Sequence, residues 1–256
     1  MQQVKRKPGK KPLQISAGGL KLFSAILLLL VNVGCIVIEK GYLRLDTYTQ
    51  TELLDAMSAD AAVSAWVGVA SVLQLLRGLA IPLFAFLLVE GFLHTGHYAR
   101  YLIRVAATAV ISEVPYDLAM SGKVWDAASQ NPVMGTAICL VMLYCVSKLE
   151  RFAAVERVIG SGLMMLCAAF WVLVLRVECG LEMVLLCGIL YCLRHRELIK
   201  MLLGILVSLT SYMGPLAFVL IFLYNGQRGE KTRQYVYYAL FPLQLVALWL
   251  LRCRFF

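Results

Sequence analysis

Charged residues are scarce in this chain of 256 residues. They make up 15% of the sequence, whereas hydrophobic residues make up 61%. A typical soluble domain is about 25% charged and about 45–50% apolar. Because the apolar residues come in repeated long blocks, the composition predicts a polytopic membrane protein and argues against one large soluble core.

Several other patterns are missing as well. The apolar blocks lack the alternation of apolar and polar residues that membrane-barrel strands need, so the composition favours helices. The eight cysteines show no CxxC spacing and no clustering with histidine, so we expect no metal site and interpret them as packing residues. We find no internal repeat.

The basic residues are concentrated in alternate connections between the apolar blocks, as in a protein that crosses the membrane several times. The net charge is +9, and most lysines and arginines fall in the N-terminal tail and in alternate connections between apolar blocks. Residues 40–60 are instead rich in acids. The positive-inside rule therefore predicts a cytoplasmic N-terminus in the cell membrane, with residues 40–60 facing outward. The predicted membrane topology accounts for the positive net charge, so we expect no nucleic-acid partner.

The chain divides into a basic cytoplasmic tail, residues 1–17, and one transmembrane domain, residues 18–256. The apolar block that follows the tail is too long for a cleavable signal peptide, so we expect none. The domain is predicted to be an all-α bundle of about 8–10 spans. Within the long block 62–93, Gly78 and Pro82 predict a kink or a break.

Arg77 and Glu113 are ionisable residues inside apolar blocks. Such groups cost roughly 2.5–3.5 kcal/mol on insertion, so they need a partner, a wet cavity or a function. Counting residues from the inner helix ends places both at similar depth on consecutive antiparallel helices. An Arg77–Glu113 pair is therefore feasible, either as a polarised site or as an ion pair that fixes helix register.

Two further groups of polar residues are candidates for catalytic roles. Glu113 and Asp117 are four residues apart around Pro115, so they share a helix face and could provide a general base, unless Asp117 only marks the outer water boundary. Glu90 and His94 have the same spacing, which suits a proton relay.

Basic residues follow the Glu90–His94 pair. Arg100 and Arg104 could meet phosphates at the cytoplasmic side, and the alternative is an ordinary cluster beside lipid head groups. A third charged group, Arg176, Glu178 and Glu182, is interpreted as a solvated outer turn. Asn131 and Thr136 could face the same cavity as the buried acids.

Three stretches carry a family resemblance. Residues 82–95 (PLFAFLLVEGFLHT), 101–104 and 111–117 (ISEVPYD) closely resemble the TraX family. That family is linked to conjugative transfer and to acetylation of the pilin N-terminus, and it is similar to membrane acyltransferases that use cytoplasmic acyl-CoA. The resemblance implies an integral membrane acyltransferase with acetyl-CoA or another acyl-CoA as donor and a pilin, lipid or glycan as acceptor.

The resemblance also assigns candidate roles to residues of this chain. Catalysis is expected from acids and an imidazole, and substrate binding from cations and amides, with no metal. The catalytic candidates are Glu113, Asp117, His94 and Glu90, and the binding candidates are Arg77, Arg100, Arg104, Asn32 and Gln244.

Three positions depart from the family pattern. An Asp-His pair in the first helix is replaced by Val31 and Asn32, and a histidine in the last span is replaced by Gln244. The usual Gly-Arg order before the proline is reversed here to Arg77-Gly78, which turns the side chain by about 100°.

These departures leave alternatives open. Carboxamides do not take up a proton near neutral pH. Either Glu113 or His94 serves as the base, or the chain is an inactive relative that acts as a membrane scaffold for a conjugation or surface apparatus. A small-molecule transporter is a third hypothesis, and the absence of two related halves with discontinuous helices counts against it.

Overall fold

A computed structural model describes residues 15–227 and 234–256. Within these ranges the chain is almost entirely helical, and the only β pairing consists of two isolated bridges. The prediction of an all-α bundle is confirmed. Most of the predicted basic tail, residues 1–14, lies outside the described residues.

The helices follow one another with short connections. Their bounds are α1 Ala17–Asn32, continued by a π-helix Val33–Tyr42, then α2 Gln50–Ala59, α3 Ala61–Leu93, α4 Tyr98–Ser121, α5 Pro132–Lys148, α6 Ala154–Val174, α7 Gly180–Cys192, α8 Glu197–Ser208, α9 Gly214–Phe222 and α10 Gln234–Phe255.

Five helical stretches among the described residues are long and apolar enough to cross a membrane. They are Ala17–Tyr42, Ala61–Leu93, Pro132–Arg151, Ala154–Val174 and Val236–Phe255. Helix α4 has 24 residues but carries several charges, and α7, α8 and α9 are shorter, with 13, 12 and 9 residues. The chain is a multi-pass membrane protein with five candidate spans among the described residues.

Helix α3 is continuous over 33 residues through Gly78 and Pro82. The predicted break in this block is therefore wrong, whereas the alternative of a kink stays a prediction. Pro82 removes one backbone donor, but it is buried among α3 neighbours in the main core, and α3 packs along α1, α7 and α9. Contacts on several sides hold the helix together where its own hydrogen bonding is weakest.

The outer connection 40–62 contains a helix of its own. Thr49 begins α2 with a capping box, in which its hydroxyl accepts the Glu52 N–H and the Glu52 carboxylate accepts the Thr49 N–H at 2.8 Å. This second bond lowers the pKa of Glu52, because it stabilises the charged carboxylate. Residues 50–59 therefore form a short helix that packs against α3.

Two main apolar clusters build the interior, and a third one consists of Ile38, Leu43 and Ala70. The larger joins α3, α5, α7 and α9, and its fully buried members include Leu83, Leu140, Leu186 and Phe218. The smaller joins the π-helix, α4 and α10 through residues that include Ile36, Tyr116, Phe241, Leu245 and Leu248. Between them the helices leave an elongated cavity.

Candidate active site

The cavity has a volume of about 980 Å³ and lies between α1, α3, α4 and α10. One end is lined by the α3–α4 turn at His94 and His97, and the other by Arg77, Tyr116 and Glu178. His94 and Arg77 are 17 residues apart along α3, which corresponds to about 25 Å. The cavity therefore extends over most of the thickness of a bilayer core.

Arg77, Glu178 and Tyr116 form a connected group, here called the deep polar cluster. The guanidinium of Arg77 pairs with Oε1 of Glu178. The hydroxyl of Tyr116 donates to Oε2 of Glu178 at 2.8 Å and lies 3.2 Å from the Ser129 hydroxyl. Both oxygens of the Glu178 carboxylate therefore have a partner, and all three side chains belong to residues that line the cavity.

The backbone around Glu178 is held by a neighbouring loop. Glu178 donates its N–H to the Gln130 carbonyl at 3.1 Å, and Gln130 donates to the Arg176 carbonyl at the same distance. The interpretation of the 176–182 group as a solvated turn is therefore wrong for Glu178, and also for Glu182, which bonds to Ser211. Arg176 alone is exposed.

The predicted Arg77–Glu113 pair is wrong. Oε2 of Glu113 accepts a hydrogen bond from the side-chain amide of Asn131, which also donates to the Ala109 carbonyl at 2.9 Å. Residue counting placed Arg77 and Glu113 at matching depths, but depth does not fix the direction of a side chain around its helix. Glu113 faces the start of α5, whereas Tyr116 on the same helix faces the cavity.

Glu113 and Asp117 do share one buried face of α4, as their spacing predicts. Asp117 accepts the Asp126 N–H at 2.9 Å from the α4–α5 loop and is 2% exposed, so it lies beneath that loop. In the loop, the Ala128 N–H lowers the pKa of Asp126. Neither Glu113 nor Asp117 belongs to the cavity wall that the described residues form.

The other end of the cavity is cationic and is here called the mouth. Lys21, His97, Arg100 and Arg104 line it. The predicted Glu90–His94 contact is also found here, with Nδ1 of His94 lying 3.4 Å from Oε2 of Glu90. Tyr224 donates to the same oxygen at 3.2 Å.

The geometry now allows comparison with known proteins. The family model described as TraX protein matches residues 54–252, from α2 into the end of α10. The chain belongs to the TraX family. No curated protein and no solved structure matches this TraX-family chain.

Asn32 and Gln244, the two amides at positions where the TraX resemblance leads us to expect histidine, both line the cavity. They are 6% and 8% exposed. Nδ2 of Asn32 and Nε2 of Gln244 have no hydrogen-bond partner among the described residues. The structure thus brings together most of the predicted binding residues, while Asn32 itself precedes the matched range.

The Arg77-Gly78 order of this TraX chain has a packing reason. A Cβ at residue 78 would lie 1.9 Å from the Ser211 carbonyl oxygen, so only glycine fits against the α8–α9 connection. A side chain at residue 77 points instead into the cavity. Sequence reasoning missed Glu178 as the partner of Arg77 and placed it in a solvated turn.

Proposed function

We propose that this TraX-family protein is a membrane-bound acyltransferase that takes an acetyl or other acyl group from cytoplasmic acyl-CoA. One observation carries the proposal: a single cavity leads from a cationic mouth to the deep polar cluster. A donor with a polyphosphate head, a narrow arm and a reactive end fits that distribution of charge. The acceptor is an amine or hydroxyl on a pilin, a lipid or a glycan.

The mouth is assigned to the donor phosphates. Arginine binds phosphate through charge and through several N–H donors held in a fixed plane. Arg100 and Arg104 lie one turn apart on α4 and line the same wall. By the positive-inside rule this end of the bundle faces the cytoplasm, where acyl-CoA is available.

The deep polar cluster is assigned to the acceptor. The nucleophile attacks the thioester carbonyl, a C–N or C–O bond forms, and the C–S bond breaks. Glu178 accepts the proton that the nucleophile loses and returns it to the departing thiolate. Arg77 pairs with the Glu178 carboxylate and Tyr116 orients it, which are the usual tasks of residues that support a general base.

The substitutions at Asn32 and Gln244 favour a second candidate function. Because neither amide can take up a proton, a chain that needed both histidines would be inactive, and the protein would act as a scaffold in a conjugation or surface apparatus. The deep polar cluster supports the acyltransferase, since it offers a base that does not depend on either position.

Transfer from radiolabelled acetyl-CoA in membrane vesicles tests the proposal. We expect label in a protein, lipid or glycan fraction with the wild type and a loss of at least 100-fold with Glu178→Gln. Glu150→Gln is the matched control, since Glu150 pairs with Arg194 away from the cavity. Label that is absent with the wild type, or equal with Glu178→Gln, would contradict the proposal.

A further inference from the structure

Two buried polar residues, Glu113 and Asn131, bond to each other but take no part in the proposed mechanism. They are 5% and 0% exposed, and neither lines the cavity that the described residues form. Buried polar groups are costly unless they are hydrogen-bonded. Here the bond joins α4 to the residue that caps α5, so the pair fixes the end of the α4–α5 loop against α4.

The side chain of Asn131 uses both its oxygen and its nitrogen. The oxygen accepts the Val133 and Met134 N–H groups at 3.0 and 3.3 Å and so caps α5. The nitrogen donates to Glu113 and to the Ala109 carbonyl. One amide therefore ties the start of α5 to α4.

The loop residues just before this amide contact the deep polar cluster. The hydroxyl of Ser129 lies 3.2 Å from the hydroxyl of Tyr116. The carbonyl of Gln130 accepts the Glu178 N–H at 3.1 Å. Because both loop residues lie within two positions of Asn131, a displacement of Asn131 moves a partner of Tyr116 and a partner of Glu178 together.

The same loop is held at a second point by the buried face of α4. Asp117 accepts the Asp126 N–H at 2.9 Å, and the side chain of Asp126 accepts the Ala128 N–H at 3.1 Å. The two acids that share this face, Glu113 and Asp117, thus anchor one loop from below. Their common partner is the loop, and not the cavity.

We propose that Glu113 and Asn131 are positioning residues that hold Glu178 in the geometry needed for proton transfer. The inference rests on the proposed function and assigns a task to the buried pair. Both act through residues 129–131, whose contacts with Tyr116 and Glu178 fix the direction of the carboxylate. A general base must reach the proton that it accepts, so a misplacement of about 1 Å can cost roughly a factor of 100.

Substitutions at both ends of the contact test the inference. Asn131→Ser keeps an oxygen that can cap α5 but is too short to reach Glu113, and Glu113→Leu removes the acceptor. In each variant we expect kcat for acyl transfer to fall about 10-fold while KM for acetyl-CoA stays within about 2-fold. The double variant should lose no more than about 2-fold beyond the larger single loss, because both changes remove one contact.

Two matched variants separate positioning from a general loss of stability. Glu113→Gln keeps an oxygen that accepts from Asn131, so kcat should stay within about 3-fold of the wild type. Tyr191→Phe removes a hydrogen bond to Glu150 outside the cavity. It should lower the Tm and leave kcat and KM unchanged.

Hydrogen exchange followed by mass spectrometry reports on the same contact without any substrate. The Glu178 N–H exchanges when its bond to the Gln130 carbonyl opens. In Asn131→Ser and Glu113→Leu we expect exchange in residues 176–179 to become about 10-fold faster, with exchange in α6 unchanged.

The remaining outcomes contradict the inference. Unchanged kcat in both Asn131→Ser and Glu113→Leu would overturn it, and so would unchanged exchange in residues 176–179. Faster exchange throughout the protein, with an equal loss of kcat in Tyr191→Phe, would show a general loss of stability and would also overturn it. In these cases the wild type still transfers label and the proposed function stands. Absence of transfer by the wild type would overturn the proposed function and the inference together.

Discussion

At the scale of single residues, the protein is defined by charges that it keeps inside an apolar bundle. One oxygen of the Glu178 carboxylate pairs with Arg77, and the other accepts a hydrogen bond from Tyr116. Their side chains are 31% exposed for Arg77 and 24% exposed for Glu178, and the exposed parts face the cavity. The pair is therefore neither a surface ion pair nor a fully dry one.

Removing one member of this pair should destabilise the protein. In Glu178→Gln the bond from Tyr116 can persist, but Arg77 keeps an unbalanced charge, and we expect a loss of about 1–3 kcal/mol. The double variant Arg77→Met with Glu178→Leu should recover most of that loss, because apolar side chains replace both charges. Denaturation of purified protein measures this, and a double variant less stable than Glu178→Gln would refute it.

Glu113 provides the contrasting case. Its Oε2 binds Asn131, and Oε1 has no partner among the described residues. In Glu113→Gln the amide oxygen can still accept from Asn131, so we expect transfer within about 3-fold of the wild type. In Glu113→Leu that acceptor is lost, and stability should fall by about 1–3 kcal/mol.

Transfer by the Glu113→Gln variant is measured in the same vesicles as the wild type. A 100-fold loss in this variant at unchanged stability would show that Glu113, and not Glu178, is the base. The comparison therefore decides between the two carboxylates directly.

At the scale of elements, the apolar blocks predict where most helices lie, because the length and the hydrophobicity of each helix can be read from the sequence. They do not predict the rotation of each helix. Residue counting placed Arg77 and Glu113 at matching depths, yet Arg77 pairs with Glu178 from a loop 101 residues away. A loop carboxylate that enters a bundle leaves no periodic pattern, so sequence reasoning placed Glu178 in solvent.

Helix α3 also shows why a glycine and a proline did not break it. Gly78 lets the Ser211 carbonyl approach closely, and the contact holds α3 against the α8–α9 connection. Local propensity predicted a break, and packing overrode it. Gly68 on the same helix has nothing within 4 Å of a built Cβ and offers a matched comparison.

Gly78→Ala and Gly68→Ala should have opposite effects. A methyl group at residue 78 must displace a backbone carbonyl, so we expect a loss of at least about 1–3 kcal/mol. At residue 68 the better helix propensity of alanine should be neutral or stabilise by up to about 1 kcal/mol. Thermal unfolding of both variants in one detergent checks this, and equal Tm values would contradict the packing account.

At the scale of the whole molecule, the helices arrange cations at one end of a cavity and an ion pair near the other. Arg100 and Arg104 of the mouth were predictable, because they follow the α3–α4 turn, whereas Lys21 reaches the mouth from α1. The cavity was not, since it depends on how α1 and α10 close against α4.

The mouth arginines should control donor affinity and leave the chemical step unchanged. For Arg100→Gln with Arg104→Gln we expect KM for acetyl-CoA to rise about 10-fold or more while kcat stays within about 2-fold. The rise should shrink at high salt, because screening weakens the charge contribution. Arg157→Gln on the exposed start of α6 is the control and should behave as the wild type.

The central claim is that the cavity accepts acyl-CoA from the cytoplasmic side and delivers its acyl group within the bundle. Sealed vesicles of opposite orientation test this most directly, with radiolabelled acetyl-CoA added only outside. Inside-out vesicles should incorporate label, and right-side-out vesicles should do so only after permeabilisation. Equal labelling of both sealed preparations, or none in the inside-out ones, would contradict the account.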